Sequence, residues 1–221
     1  MTRPSRSGAL KTRVHKMKDG RLSDKALHDC VLALASGGLV VLPTDTVYGI
    51  ACGAFDPGAV RRVYELKGRS YDKPLPILIP HASQLSLVAA EVPTEAFRLI
   101  GAYWPGALTL VLKTAPLAAL AAHGRPTIAV RVPDHGVVRT LLDGAGVPIA
   151  ATSANQSEQP SISEGAEVVR QFEGKVEVII DGGACAVGRE SSVVDASKFP
   201  FSMLREGAIS RADLERTLRV A

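Results

Sequence analysis

Apolar positions along this 221-residue chain fall into two alternating rhythms. In the first, Ala26, Leu27, Cys30, Val31 and Leu34 recur at spacings of three and four. That spacing predicts a helix, with Ser23 placed to cap it and Gly37-Gly38 to end it. In the second, short apolar runs such as 39–42 predict buried strands. The helical rhythm returns after Asp56-Pro57, which read as N-cap and first helical residue. Val60, Val63, Tyr64 and Lys67 then share a face, and Gly68 suits the residue beyond the helix end. Further helices are predicted over 93–103, 137–142, 164–172 and 211–218, the last opened by the capping pair Ser210 and Asp213. Further strands are predicted over 12–17, 76–79, 108–113, 127–132, 148–151, 176–180, 193–195 and 202–205. Alternating helices and many short strands predict an α/β protein on a large, mixed, twisted sheet flanked by helices.

Composition narrows this picture. With 46% apolar residues the chain can build one sizeable core. No apolar run approaches the roughly 20 residues of a membrane span. The expected organisation is a basic tail over 1–21 that enters the first strand, and a single domain over 12–221. The net charge of +4 is unevenly spread: residues 1–21 hold seven basic side chains and one acidic, whereas the remainder is net −2. Such a tail is either a solvated extension or a weak RNA contact. It lacks the apolar stretch of a secretory leader, and its Arg-rich, acid-poor character leaves organelle targeting open. Three widely spaced cysteines with no CxxC pair fit a reducing compartment, the cytoplasm being the expected one. Aromatic residues are only 5% and show no base-stacking pattern, which argues against a dedicated RNA-binding module.

The chain carries none of the common nucleotide, metalloprotease or nucleophile-elbow motifs, and its five histidines lack metal spacing. Four segments carry chemistry instead. Pro43-Thr44-Asp45-Thr46-Val47-Tyr48-Gly49 brings small hydroxyls to the end of a buried strand, where α/β proteins bind ligands. Lys67, Arg69 and Lys73 cluster at a helix end and in the next loop, as helix-dipole partners or as a phosphate clamp. In the strand over 127–132, a period of two puts Thr127, Ala129 and Arg131 on one face. Arg131 inside an apolar strand demands an anionic partner, from the protein or from a ligand. Ala151-Thr152-Ser153-Ala154-Asn155 again runs from a strand into small polar residues, and Ser191 and Arg205 repeat the theme. Together these describe a cavity suited to a triphosphate and a small zwitterion.

The ordered set PTDTVYG (43–49), KGR (67–69), DKPL (72–75), WPGALT (104–109), TIAVR (127–131), SAN (153–155), Glu190-Ser191 and Leu204-Arg205 resembles the YrdC family of threonylcarbamoyl-AMP synthases, in the length of their single-domain version. The resemblance implies a twisted α/β fold around a large, positively charged cavity. It also implies synthesis of L-threonylcarbamoyladenylate from L-threonine, bicarbonate or CO2, and ATP, with release of pyrophosphate. The product would serve threonylcarbamoyl-adenosine modification of tRNA through a separate transferase complex. Carried over residue by residue, Thr46, Arg131, Ala151 and Ser191 become the threonine set. Lys67, Arg69, Lys73, Thr127, Ser153, Asn155, Ser161 and Arg205 become the ATP set, with Lys67 and Arg69 the catalytic cations. Mg2+ is expected with ATP, without a dedicated protein metal site. Leu78 stands where many relatives carry histidine, and Ala107 replaces a proline.

Overall fold

The computed structural model describes residues 10–119, 121–146 and 148–219. The first part of the basic tail, residues 1–9, lies outside them. In chain order the elements are β1 (Arg13–Lys16), α1 (Asp24–Ala35), β2 (Val40–Leu42), β3 (Gly49–Gly53), α2 (Pro57–Lys67) and β4 (Ile77–Leu78). There follow β5 (Ala89–Glu91), α3 (Thr94–Tyr103), β6 (Leu108–Thr114), β7 (Thr127–Arg131), α4 (Gly136–Ala145) and β8 (Ile149–Ser153). The chain continues through α5 (Gly165–Phe172), β9 (Val178–Asp181), β10 (Ser192–Asp195), β11 (Ser202–Arg205) and α6 (Arg211–Arg219).

The strands form one sheet in the order β1-β9-β2-β3-β8-β4-β7-β6-β10-β11, with β5 paired to the far end of β6. Pairing is mixed, as the many short strands implied: β1 and β2 run parallel to β9, while β3 is antiparallel to both β2 and β8. Along β2, Val41 faces one apolar cluster while Val40 and Leu42 face the other. Both faces are therefore covered. The helices α1 and α4 seal one side, and α2, α3, α5 and α6 contribute to the larger core on the other. Tyr48, Tyr64, Phe172 and Leu99 are fully buried, each contributing about 1.5–3 kcal/mol of transfer free energy.

Helix ends follow local chemistry. The Ser23 hydroxyl accepts from the amide of Ala26 at 3.3 Å, and the Ser210 hydroxyl from that of Asp213 at 3.2 Å. Asp56 Oδ1 accepts from Gly58 and Ala59 at 2.8 and 3.0 Å, and Gly68 closes α2 in the left-handed region at φ 61°. Asp56→Ala is expected to cost about 1 kcal/mol, read as a fall of about 2–4 °C in Tm, because it frees two helix-end amides. The cap lies outside the cavity described below, so turnover should be unchanged; a changed turnover would contradict this purely structural role.

Candidate active site

The central strands end around one cavity of about 460 Å³. It is walled by the 44–49 turn after β2, the end of α2, the loop bearing Arg69 and Lys73, Leu78 of β4, Thr109 of β6, Arg131 at the end of β7, the end of β8, and the 190–191 and 205 segments. Five of its lining side chains are cations, Lys67, Arg69, Lys73, Arg131 and Arg205, against two carboxylates, Glu158 and Glu190.

Two of the cations, Arg131 and Lys67, are buried. The sequence demanded an anion for Arg131, and the protein provides one: Nη2 meets both oxygens of Asp45 at 2.6 and 2.7 Å. Nη1 donates to the Thr46 hydroxyl at 2.8 Å and Nε to the Gly106 carbonyl at 2.8 Å. Asp45 also accepts from the Asp134 amide at 3.1 Å. Burial lowers the Arg131 pKa and Asp45 raises it again, yet a guanidinium remains charged at neutral pH. The 44–47 turn orders itself around Thr44, whose hydroxyl donates to the Val47 carbonyl at 2.7 Å and stands 2.9 Å from the Thr46 hydroxyl. Gly106 has a positional reason to be glycine: a Cβ there would stand 2.7 Å from the Tyr103 carbonyl.

Lys67 ends α2 with its side chain turned inward. Its ammonium donates to the Ser153 carbonyl, to the Asn155 carbonyl at 2.9 Å and to Asn155 Oδ1 at 2.7 Å. Those bonds engage all three of its donors. Lys67 thus holds the turn after β8 while lining the cavity. The backbone repeats the link, since the Ser157 amide donates to the Lys67 carbonyl at 3.0 Å. Asn155 completes the knot by accepting from the Ser153 hydroxyl at 2.7 Å and donating to the Gln159 carbonyl at 2.5 Å. Burial, with Arg69 nearby, pushes the Lys67 ammonium down to about 8.

The remaining cations sit nearer the mouth. Arg69 is half-buried and braced by the carbonyls of Lys73 at 2.9 Å and Pro74 at 3.3 Å. Lys73 is exposed. Arg205 reaches the Ser191 carbonyl at 2.8 Å through Nη2 and pairs with Glu190 through Nη1. The Ser191 hydroxyl lies 2.8 Å from that of Thr109, both buried. Behind them the Ser192 hydroxyl accepts from Gly207 and Ile209 at 2.9 and 3.0 Å, locking the segment after β11 against β10. A Cβ at Gly207 would collide with Ser191 backbone, so only glycine permits that approach.

The cavity wall therefore brings together Thr46, Arg131, Ala151, Ser191, Lys67, Arg69, Lys73, Ser153, Asn155 and Arg205. Two of the residues carried over from the resemblance are not on it. Ser161 stands one bond behind, donating to Glu190. Thr127 begins β7, four residues before Arg131, which at roughly 3.3 Å per residue is about 13 Å away. Sharing a strand face did not bring it to the same place. The site also contains groups given no role at the outset: Asp45, Glu190 and Thr109 on or beside the wall, and Tyr48. The Tyr48 hydroxyl donates to the Gly183 carbonyl at 2.8 Å and accepts from the Gly182 amide at 2.9 Å. All but Thr109 and Glu190 sit in one heptapeptide motif, and a buried arginine is the signal that should have pointed to Asp45.

Among the described residues, no group of three or more His, Cys, Asp or Glu side chains converges, and no helix is long and apolar enough to cross a membrane. Burial pushes the Cys30 and Cys52 thiols up to about 12, so neither is a nucleophile near neutral pH.

A mixed, doubly covered sheet whose strand ends surround one cavity lined by five cationic side chains defines the class of α/β protein to which this chain belongs. The chain belongs to the Sua5/YciO/YrdC family, whose model, described as "telomere recombination", matches residues 32–207. It is 42% identical over 186 residues to a threonylcarbamoyl-AMP synthase of Pyrococcus abyssi, an alignment covering 84% of this chain and 55% of that one. It is 38% identical to a putative threonylcarbamoyl-AMP synthase of Mycobacterium leprae, with 89% of each chain aligned. The crystal structure of P. abyssi Sua5 complexed with L-threonine superposes with a TM-score of 0.86 at 38% identity, covering 93% of this chain and 60% of that one. The chain thus spans little more than half the length of some curated relatives and most of the length of others.

Proposed function

We propose that this protein is a nucleotidyltransferase that joins L-threonine, bicarbonate or CO2, and ATP into L-threonylcarbamoyladenylate and pyrophosphate. The observation that carries the reading is a cavity with two kinds of cationic ground in one enclosure. One is a buried, hydroxyl-flanked Arg131 subsite, sized for a small zwitterion. The other is a more open arc of Arg69, Lys73 and Arg205, suited to phosphates. Family membership and a relative crystallised with L-threonine support the assignment.

In this reading the threonine carboxylate approaches Arg131 and Thr46, beside Ala151 and Ser191. The threonine amine captures CO2, releasing a proton and forming a carbamate. A carbamate oxygen then bonds to the α-phosphorus as the bond to pyrophosphate breaks. No side chain need act as a nucleophile. Enclosure protects the labile carbamate from water, and the cations stabilise charge on the phosphates as they move in line. ATP enters as its Mg2+ complex, the ion held by phosphate oxygens and water. The product would pass to a separate transferase complex for threonylcarbamoylation of tRNA. The unpaired thiols suit the cytoplasm, and any weak RNA contact falls to the basic tail.

The deciding experiment measures pyrophosphate release by the purified protein with L-threonine and bicarbonate each present or omitted. Release that needs both is expected. Release indifferent to threonine, or none from folded protein, would sink the proposal. Arg69→Ala is expected to raise the KM for ATP about ten-fold, because it removes a charge-assisted phosphate contact, and to leave the KM for threonine unchanged. Equal shifts in both constants would place Arg69 elsewhere.

A further inference from the structure

The phosphate ground of this cavity already holds an anion. Glu190 accepts from the Ser161 hydroxyl on one carboxylate oxygen and from Arg205 Nη1 on the other. Ser161 and Arg205 are two of the groups that the resemblance assigns to ATP, so one protein carboxylate engages both. It is also close enough to Lys67 and Arg69 to bias their protonation. Burial pushes the Glu190 pKa up, but the hydrogen bond from Ser161, the charges of Arg205 and Lys67 and the neighbouring Ser153 hydroxyl outweigh it and hold it below the ordinary range. It is therefore ionised near neutral pH. Its backbone is fixed, since the Ala208 amide donates to the Glu190 carbonyl at 2.9 Å, whereas its side chain is 31% exposed. The carboxylate arm can leave its partners without disturbing β10.

We propose that Glu190 is a placeholder anion, whose carboxylate stands between Ser161 and Arg205 in the ligand-free protein and yields that ground to the phosphates of ATP. The proposal rests on the nucleotide reading above. While in place, the carboxylate keeps Arg205 aimed into the cavity. On exchange, it charges every polyphosphate the same penalty of displacement and like-charge repulsion. ATP has adenosine contacts to offset that penalty. Pyrophosphate has none, so the returning carboxylate favours product release. Glu190 is thus a positioning and specificity-determining residue rather than a reacting one.

The test is calorimetric titration of wild type, Glu190→Gln and Glu190→Ala with pyrophosphate and with ATP, each with and without Mg2+. Both variants are expected to bind metal-free pyrophosphate about ten-fold more tightly than wild type, as removal of a nearby like charge implies. Their turnover should become more sensitive to added pyrophosphate by a similar factor. A merely structural role would not produce tighter binding, since a loosened site loses affinity. Pyrophosphate affinity unchanged or weaker in both variants overturns the placeholder. So does a loss confined to ATP with Mg2+, which would make Glu190 a ligand of the nucleotide's metal ion. Wild-type protein that binds neither ATP nor pyrophosphate brings down the nucleotide reading itself.

Discussion

Arg131→Ala is expected to cost about 3–5 kcal/mol of stability and to abolish threonine-dependent turnover. Both parts follow from one geometry. The Arg131 and Asp45 side chains are 8% and 9% exposed, and their pairing is bidentate. Removing the guanidinium strands the Asp45 carboxylate in a site with little water. The Thr46 hydroxyl and Gly106 carbonyl lose their donors as well. At about 2–4 °C per kcal/mol for a chain of this size, the melting temperature should fall by roughly 6–20 °C. A second variant separates architecture from binding. Replacing the pair together, Arg131→Met with Asp45→Leu, removes both charges and should recover most of the stability, as apolar replacements of buried ion pairs do. It should not recover threonine dependence, because the cation assigned to the substrate carboxylate is then gone. Full turnover in the double variant would show that Arg131 serves only the fold. An Arg131→Ala protein melting within 2 °C of wild type would contradict the buried pairing.

Where periodicity and capping govern an element, it could be read from the chain. The helix α2 was legible from its Asp56 cap to Gly68, and its inward face at Val60, Val63, Tyr64 and Lys67 is buried as spaced. By contrast, β3 was not predicted: Gly49, Ala51, Cys52 and Gly53 have little strand propensity, and pairing with β2 and β8 on both edges forms it instead. Gly49, the first residue of that strand, borders the cavity. The short strand β5 likewise exists through its edge pairing to β6. In the site, residue identity was more legible than role. Lys67 reads as a cation at a helix end, and only the distant turn over 153–155, brought against it by β8, turns it into an anchor. The partner of Arg131 lies 86 positions away. No local rhythm could select Asp45 over another carboxylate, although the need for one was plain from the strand.

Lys67→Met is expected to lower kcat/KM by about 10²-fold or more while leaving a folded protein. Methionine keeps the length and packing of the buried chain but provides none of the three donors that hold Ser153 and Asn155. A displacement of about 1 Å in groups that orient substrate is enough for a loss of that size. Stability should fall only by about 1–3 kcal/mol. The Asn155 side-chain oxygen still accepts from Ser153, the Ser153 carbonyl still accepts from the Asn155 amide at 3.1 Å, and a costly buried charge is gone. The pH dependence gives an independent check. Burial and then Arg69 bring the Lys67 pKa down to about 8 in the fold, against roughly 10.4 in an unfolded chain. Below pH 8 both states hold the proton, and the cost of the buried charge is fully present. Between about 8 and 10.4 the native state releases the proton while the unfolded state retains it, so this group's contribution to stability rises with pH. Turnover should move the other way, because a neutral amine cannot satisfy all three oxygens. In wild type, kcat/KM should fall through a limb near pH 8, without unfolding. The corresponding limb in kcat should lie higher, since bound phosphates favour the ammonium. The Met variant should lack both limbs. A wild-type profile flat to pH 9, or the same limb in the variant, would mean that the titrating group is not Lys67.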